Sequence, residues 1–408
     1  MKFLNFIITA LIVSILLIGC SPSAATAPVD VNPQAADDTS NVAATDTVIN
    51  TPTAASTATA TSTPVPTSTF TITPTFTPTP QAISAENAEQ VILLNRLSDV
   101  QDIGNIMGSS LAFSPDGMLL AMGQHNAVRI IDVSTGSSFG QPITGLADWA
   151  RQLDFSPDGT LLAAGLNEGT IYVWDVGTGR TVWQPIDADI AAVYSVHFSP
   201  DGTLLASGNF DNKVNLWDVN TGQKVGEDLL GHTSWVNSVA FSPDGALLAS
   251  GAQDGTARLW DVKSGQPVGQ PLDHREVVSQ VIFSPDGTLL ITKAGKTIQF
   301  WDVKTGRLAG KPIQESTSIG RMALSPDGTL IVVGLLDAKL RIWDVRTRQP
   351  AAPPLVGHND QYIESFITGI AFSPSGWWIT SASGKNELFF WGVPRWDTTG
   401  TPTPASPP

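Results

Sequence analysis

Residues 235–269 read WVNSVAFSPDGALLASGAQDGTARLWDVKSGQPVG. Val236, Val239 and Phe241 open an apolar strand. Pro243-Asp244-Gly245 is a turn, with glycine where the backbone needs a positive φ. Leu247 to Ser250 is a second strand, and Gln253-Asp254-Gly255 is a second tight turn. Thr256 to Val262 alternates as a third strand, which Ser264-Gly265 closes. Pro267 and Pro271 then stand where only an edge strand tolerates proline. The segment predicts four strands with the last outermost.

The same unit recurs on both sides. Ser-Pro-Asp-Gly begins at Ser114, Ser156, Ser199, Ser242, Ser284 and Ser325, and a seventh copy, Ser-Pro-Ser-Gly, begins at Ser373. The spacings are 42, 43, 43, 42, 41 and 48 residues. A second mark follows each by 17 or 18 residues: Ile131-Asp132, Trp174-Asp175, Trp217-Asp218, Trp260-Asp261, Trp301-Asp302, Trp343-Asp344 and Trp391-Gly392. A fixed period of this length over some 300 residues defines a repeat architecture.

The unit resembles a WD40 repeat, and the resemblance covers about residues 88–396. It implies an all-β fold, a seven-bladed β-propeller with one four-stranded blade per repeat. Closure of the ring is also implied. The segment Val91 to Leu97 precedes the first unit and nothing comparable follows the seventh, so it is expected to complete the last blade and remove an open sheet edge.

His232, Ser250, Asp254 and Trp260 imitate a Ser/His/Asp catalytic set within one unit. In WD40 blades these positions form a buried hydrogen-bond network with the Trp N–H as donor, and the resemblance assigns them that structural role. Burial of such groups is tolerable only when all are mutually satisfied. Other units keep parts of the set: His274, Thr292 and Trp301 in the fifth, and His358, Ser381 and Trp391 in the seventh, where Lys385 holds the Asp position. Blades 1, 2 and 6 are expected to depend more on apolar packing. Gly136-Ser137-Ser138-Phe139-Gly140 fits G-x-S-x-G, but a nucleophile elbow needs a strand before it and a helix after it, and here no helix follows. No two His share a metal-ligand spacing, and there is no phosphate loop or EF-hand-like Asp ladder. The expectation is a protein without catalytic residues, metal or cofactor.

Function is then expected on an exposed face of the ring. The resemblance implies partner binding on the face bearing the turns between second and third strands. Counting seven and five residues back from each Ser-Pro places Trp149, Arg151, Tyr194, Trp235, Asn237 and Phe366 there, and the position before the turn Asp adds Phe210 and Gln253. Units 2 to 4 thus gather aromatic and Arg side chains, the residues enriched at binding hot spots, in one sector. The expected function is a protein- or peptide-binding scaffold. A glycan or small-ligand sensor is the alternative, and a propeller hydrolase a third reading.

The chain has 408 residues, 14 % of them charged, and a net charge of −15. Residues 1–82 hold one Lys and four Asp, which leaves 21 basic against 33 acidic groups, or −12, for the rest. So acidic a domain is poorly suited to nucleic acid or anionic lipid headgroups. The single cysteine excludes an intrachain disulfide framework.

That cysteine ends residues 1–20, MKFLNFIITALIVSILLIGC. A basic start and a 16-residue apolar run read as a secretory signal peptide. Leu17-Ile18-Gly19-Cys20 resembles the lipobox of bacterial lipoproteins, which implies cleavage before Cys20 and its lipidation. Residues 21–86 follow as an Ala/Thr/Ser/Pro-rich stalk; up to residue 82 it lacks Lys, Arg, Trp, Tyr, Leu and His and has too little apolar surface to fold. The propeller is expected over 87–396 and a disordered tail over 397–408. The predicted location is the extracytoplasmic side of a membrane, with contact through the lipid anchor only.

Overall fold

The computed structural model of the chain describes residues 82–97, 110–124, 126–188, 191–358, 366–383, 387–393, 395–396 and 402–403. Residues 1–81, where the signal segment with Cys20 and the stalk are expected, and His125 and Lys385 lie outside the described residues.

Seven antiparallel sheets make seven blades. Their innermost strands are Leu111–Phe113, Ala150–Phe155, Val193–Phe198, Val236–Phe241, Val278–Phe283, Ile319–Leu324 and Ile367–Phe372. Each neighbours the next, and the seventh neighbours the first. In blade 4 the order is Val236–Phe241, Leu247–Ala252, Thr256–Asp261 and Pro267–Asp273, as the alternation and the prolines predict. Blade 3 replaces the outermost strand by two isolated bridges, Val214 to Leu229 and Trp217 to Lys224. Blade 5 splits it into Arg307–Leu308 and Ile313–Gln314.

Three observations close the ring. Ile92–Leu97 pairs antiparallel with Glu387–Gly392 as the outermost strand of blade 7, with Leu93 opposite Trp391 and Asn95 opposite Phe390. Leu120, Met122 and Ile131 of blade 1 share a core with Trp378, Leu388 and Phe390 of blade 7. The Ser-Pro-Asp-Gly turns also touch in sequence around the circle. A Cβ built on Gly159 would lie 3.4 Å from Pro115, one on Gly245 would lie 3.5 Å from Pro200, and one on Gly117 would lie 3.5 Å from Pro374 of blade 7.

The repeated turn has a local cause. The Ser242 hydroxyl donates to Asp244 Oδ1 (2.6 Å) and accepts the Leu247 N–H (2.9 Å), while Asp244 Oδ1 accepts the Ala246 N–H (3.0 Å). Gly245 sits at φ +71°. One Ser and one Asp thereby satisfy backbone donors that a tight turn otherwise leaves open. In blade 7 Ser375 takes the Asp place and contacts Ser373 at 3.0 Å.

The core lies between blades. Ala206, Val214 and Leu216 of blade 3 pack with Val236, Phe241, Leu248 and Trp260 of blade 4. The packed chain begins before residue 87, where the composition places the boundary: Ile83 is 1 % exposed, and its N–H donates to Gly376 O. One apolar residue at the end of the Ala/Thr/Ser/Pro-rich stretch suffices to dock it. In the tail Pro402–Thr403 pairs antiparallel with Arg395–Trp396. Pro402 is the first residue of its strand, a position that tolerates a proline lacking an N–H. Among the described residues no helix is long and apolar enough to cross a membrane.

Candidate functional site: the channel mouth and its aromatic rim

Six of the seven innermost strands carry a register shift at the same place. It falls between Ala150 and Gln152, Val193 and Ser195, Val236 and Ser238, Val278 and Gln280, Ile319 and Arg321, and Ile367 and Gly369. The residues at these bulges are Arg151, Tyr194, Asn237, Ser279, Gly320 and Thr368, the set reached by counting five back from each Ser-Pro. A bulge re-aims its side chain, and here it does so at the rim of the central channel. The residues seven back are adjacent to those before the turn Asp. The Gln253 N–H donates to Trp235 O (2.8 Å), Phe210 N–H to Ala192 O (2.9 Å), and Asn167 N–H to Trp149 O (3.0 Å).

Four of the expected residues form one row. The Arg151 guanidinium lies over the Tyr194 ring at 5.3 Å. Tyr194 stacks on Trp235 at 6.1 Å, and Trp235 stacks on Phe210 at 4.6 Å. Arg151 is braced from behind: Asn167 Oδ1 accepts from its Nε (2.9 Å) and Nη2, and the Asn167 amide donates to Asp148 Oδ2 (2.7 Å). Gln253 is exposed beside Trp235, and Trp149 is half-buried. Asn237 turns partly inward and donates to Val278 O at 3.0 Å. Phe366 is half-buried in blade 7, which the row through blades 2 to 4 does not include.

Inside the ring is a cavity of about 490 Å³, lined among others by Arg151, Asn237, Arg321, Phe113, Phe283 and Phe372. Its wall is stitched across the blades. Ser110, Ser195 and Ser238 accept the backbone N–H of Leu153, Val239 and Val281 in the next blade at 2.8, 2.9 and 3.1 Å. Asp154 Oδ2 accepts the Phe198 N–H (2.7 Å), and burial pushes its carboxyl above the usual range despite nearby His197.

Sequence reasoning missed two cations here. Arg321 Nε donates to Thr368 O (3.2 Å). Lys293 is 4 % exposed and donates from Nζ to Ile319 O (3.0 Å) and Gly320 O (2.6 Å). Burial, with Arg321 beside it, pulls its ammonium down to about 7. The overlooked signal is positional. The ninth residue after the repeat Ser is Gly123, Gly165, Gly208, Gly251 and Gly334 in five blades and Ala382 in another. A Cβ on Gly251 would meet Val278 Cγ1 at 2.6 Å, so the position ordinarily excludes a side chain. Blade 5 puts Lys293 there, and the neighbouring bulge residue is Gly320, without a side chain to obstruct it.

The triad look-alike is enclosed. His232 Nδ1 lies 3.0 Å from Asp254 Oδ2 and its Nε2 lies 2.7 Å from Ser250 Oγ, which also accepts Trp260 Nε1–H (2.8 Å). Burial holds His232 below its ordinary pKa, so the neutral ring donates to Asp254 and accepts from Ser250. Ser250 and Trp260 are both 0 % exposed, and a nucleophile with no surface cannot reach a substrate. Two other blades rebuild the network with residues the spacing did not reveal. In blade 6, expected to depend more on apolar packing, Glu315 Oε1 accepts Trp343 Nε1–H at 2.7 Å, with Arg341 3.6 Å from its other oxygen. In blade 7 Glu387 lies 3.5 Å from His358 Nδ1 and supplies the carboxylate from the third strand. Among the described residues no group of His, Cys, Asp or Glu could hold a metal ion.

The chain matches the family model described as "IFT122 first beta-propeller" over residues 192–403, just over half its length. The model described as "WD domain, G-beta repeat" matches residues 137–175. The protein therefore belongs to the WD40-repeat β-propeller family. No curated protein matches it.

Proposed function

We propose that this protein is a non-catalytic docking scaffold on the extracytoplasmic side of a membrane, tethered by lipid on Cys20 and holding a protein or peptide partner on the upper face of its propeller. Propellers of this family commonly act as protein-interaction scaffolds. The observation that carries the reading is the continuous Arg151–Tyr194–Trp235–Phe210 row beside the channel. Contiguous accessible aromatics with an arginine are typical of binding hot spots. The apolar run ending in Leu17-Ile18-Gly19-Cys20 supports the anchor.

The test is capture of partners from the native envelope by in situ cross-linking, followed by affinity measurement with Trp149→Ala and Trp235→Ala. Truncating a central aromatic hot spot costs about 2 kcal/mol, or roughly 30-fold. Unchanged affinity in both variants removes this sector. Mass spectrometry of the mature N-terminus should find acylated Cys20; an unmodified Met1 start defeats the tether. A glycan array decides the sensor alternative, in which sugars stack on the same aromatic faces.

A further inference from the structure

The channel mouth collects cations in an otherwise acidic protein. Arg151 stands on the bulge of blade 2, Arg321 beside the bulge of blade 6, and Lys293 at the seam behind Arg321. Among the described residues no carboxylate forms an ion pair with any of the three. The nearest acids are held elsewhere. Burial lowers the Arg151 pKa, and the Asp148 carboxylate opposes that through space; its hydrogen bond goes to Asn167 rather than to Arg151 itself, and Asp154 is engaged by the Phe198 backbone. Burial lowers the pKa of both Arg321 and Lys293, and the cations add to it: Arg151 acts on Arg321, and Arg321 on Lys293. Among the described residues Arg321 donates to the protein from Nε alone, to Thr368 O, and it lines a cavity of about 490 Å³. That volume accommodates a small ligand or an inserted side chain.

Like charges converging on a partly desolvated cavity, with donors to spare, suit an anion presenting two or more oxygens. We infer that the channel mouth is a receptor for an oxyanion, a carboxylate or phosphate group, held between Arg151 and Arg321, and that the segment carrying this group lies along the Tyr194–Trp235–Phe210 row. The second half rests on the docking function proposed above; the first does not. The aromatic row starts at Arg151, so a group held there has its flanking atoms directed onto Tyr194. The acidic remainder of the domain repels anions elsewhere and confines them to this spot.

The experiment uses the full chain and two kinds of probe, read by tryptophan fluorescence titration. One is an array of hexapeptides of varied sequence, each made in a Glu and a Gln form. The other is free citrate and inorganic phosphate. A charge-assisted pair is worth about 1.5–3 kcal/mol, so Glu forms should bind about 10- to 100-fold tighter than their Gln counterparts. Arg321→Gln and Arg151→Gln should each erase most of that ratio, while Arg321→Lys keeps part of it and shows that the fold tolerates change there. Lys224→Gln, at an exposed cation on the outer edge of blade 3 already paired with Asp228, should leave it untouched. Trp235→Ala should weaken the peptides and spare citrate. Equal binding of Glu and Gln forms with no binding of citrate or phosphate overturns the inference, as does an equal loss in Lys224→Gln. Binding of citrate or phosphate without any peptide upholds the oxyanion receptor and sinks the peptide-docking reading.

Discussion

Replacing Ser250 by alanine tests the reading that the look-alike triad is a structural hub. Its Oγ accepts Trp260 Nε1–H at 2.8 Å and donates to His232 Nε2 at 2.7 Å. The cavity left by one oxygen is small, so the cost comes from two orphaned polar groups in a site where Trp260 is 0 % and His232 7 % exposed. At about 1–3 kcal/mol for each unsatisfied buried group, Ser250→Ala should destabilise by about 2–6 kcal/mol. Blade 3 supplies the internal control. Among the described residues Ser207 Oγ meets one side-chain donor, Trp217 Nε1–H at 3.0 Å, so Ser207→Ala should cost about half as much. Ser381→Ala should match Ser250→Ala, because Ser381 serves both Trp391 and His358 at 2.8 Å. Equilibrium urea unfolding followed by tryptophan fluorescence gives the three values on one scale. In a double-mutant cycle, Ser250→Ala and His232→Phe should couple by at least about 1 kcal/mol. If Ser250→Ala costs no more than Ser207→Ala, the hub does not exist as described.

Gly392→Val should loosen ring closure, because a Cβ there meets Leu94 Cδ1 at 2.6 Å and Trp377 O at 3.0 Å; hydrogen exchange should rise selectively in Ile92–Leu97, and unchanged protection would contradict the closure. Lys293→Met should stabilise the protein most below pH 7. The folded pKa of about 7 lies beneath the model-peptide value of 10.5, so the unfolded chain binds more protons between them, and native stability climbs relative to the variant as pH rises from 7 towards 10. The full shift corresponds to about 5 kcal/mol at about 1.4 kcal/mol per pKa unit, and a pH-independent difference would refute it. Acid should weaken the fold below about pH 4: hydroxyl donors hold Asp158, Asp201, Asp244 and Asp286 below 3.8 in the folded state, so their contribution is present above that value and lost beneath it. Asp244→Asn should flatten the acid slope of the urea midpoint, and an unaltered slope would contradict the turn chemistry.

Blade number and turn positions were legible in the spacing of Ser-Pro-Asp-Gly, because each turn satisfies itself with its own Ser and Asp, and the closing strand was legible in the unmatched apolar segment before the first unit. The aromatic row was legible too, since a fixed offset from the turn lands on the bulge. What spacing does not carry is reach. Glu315 occupies the place of His232 in its unit and contacts the same Trp position by a different bond. Glu387 fills the carboxylate role from a neighbouring strand. Arg321 is one residue past the bulge, off the fixed offset from the turn.

Lys293 is the residue that the propeller needs least. Five blades satisfy that seam with glycine, which lets the next innermost strand come close, and blade 7 does so with alanine. A lysine there must carry its ammonium into the interior, where desolvation opposes its charge. It is accommodated because Gly320 leaves the Ile319 and Gly320 carbonyls open to Nζ. Packing alone would favour separating Lys293 from Arg321, since each raises the electrostatic cost of the other. An oxyanion at the mouth reverses the sign of that interaction: it stabilises both cations and raises the pKa of Lys293 from about 7. Binding at pH 7 to 8 should therefore draw up a proton. Calorimetric titration of citrate in buffers with different ionisation enthalpies measures that uptake directly. The apparent enthalpy should vary with buffer in the native protein and not in Lys293→Met. The same buffer dependence in both proteins would show that this lysine does not sense the mouth.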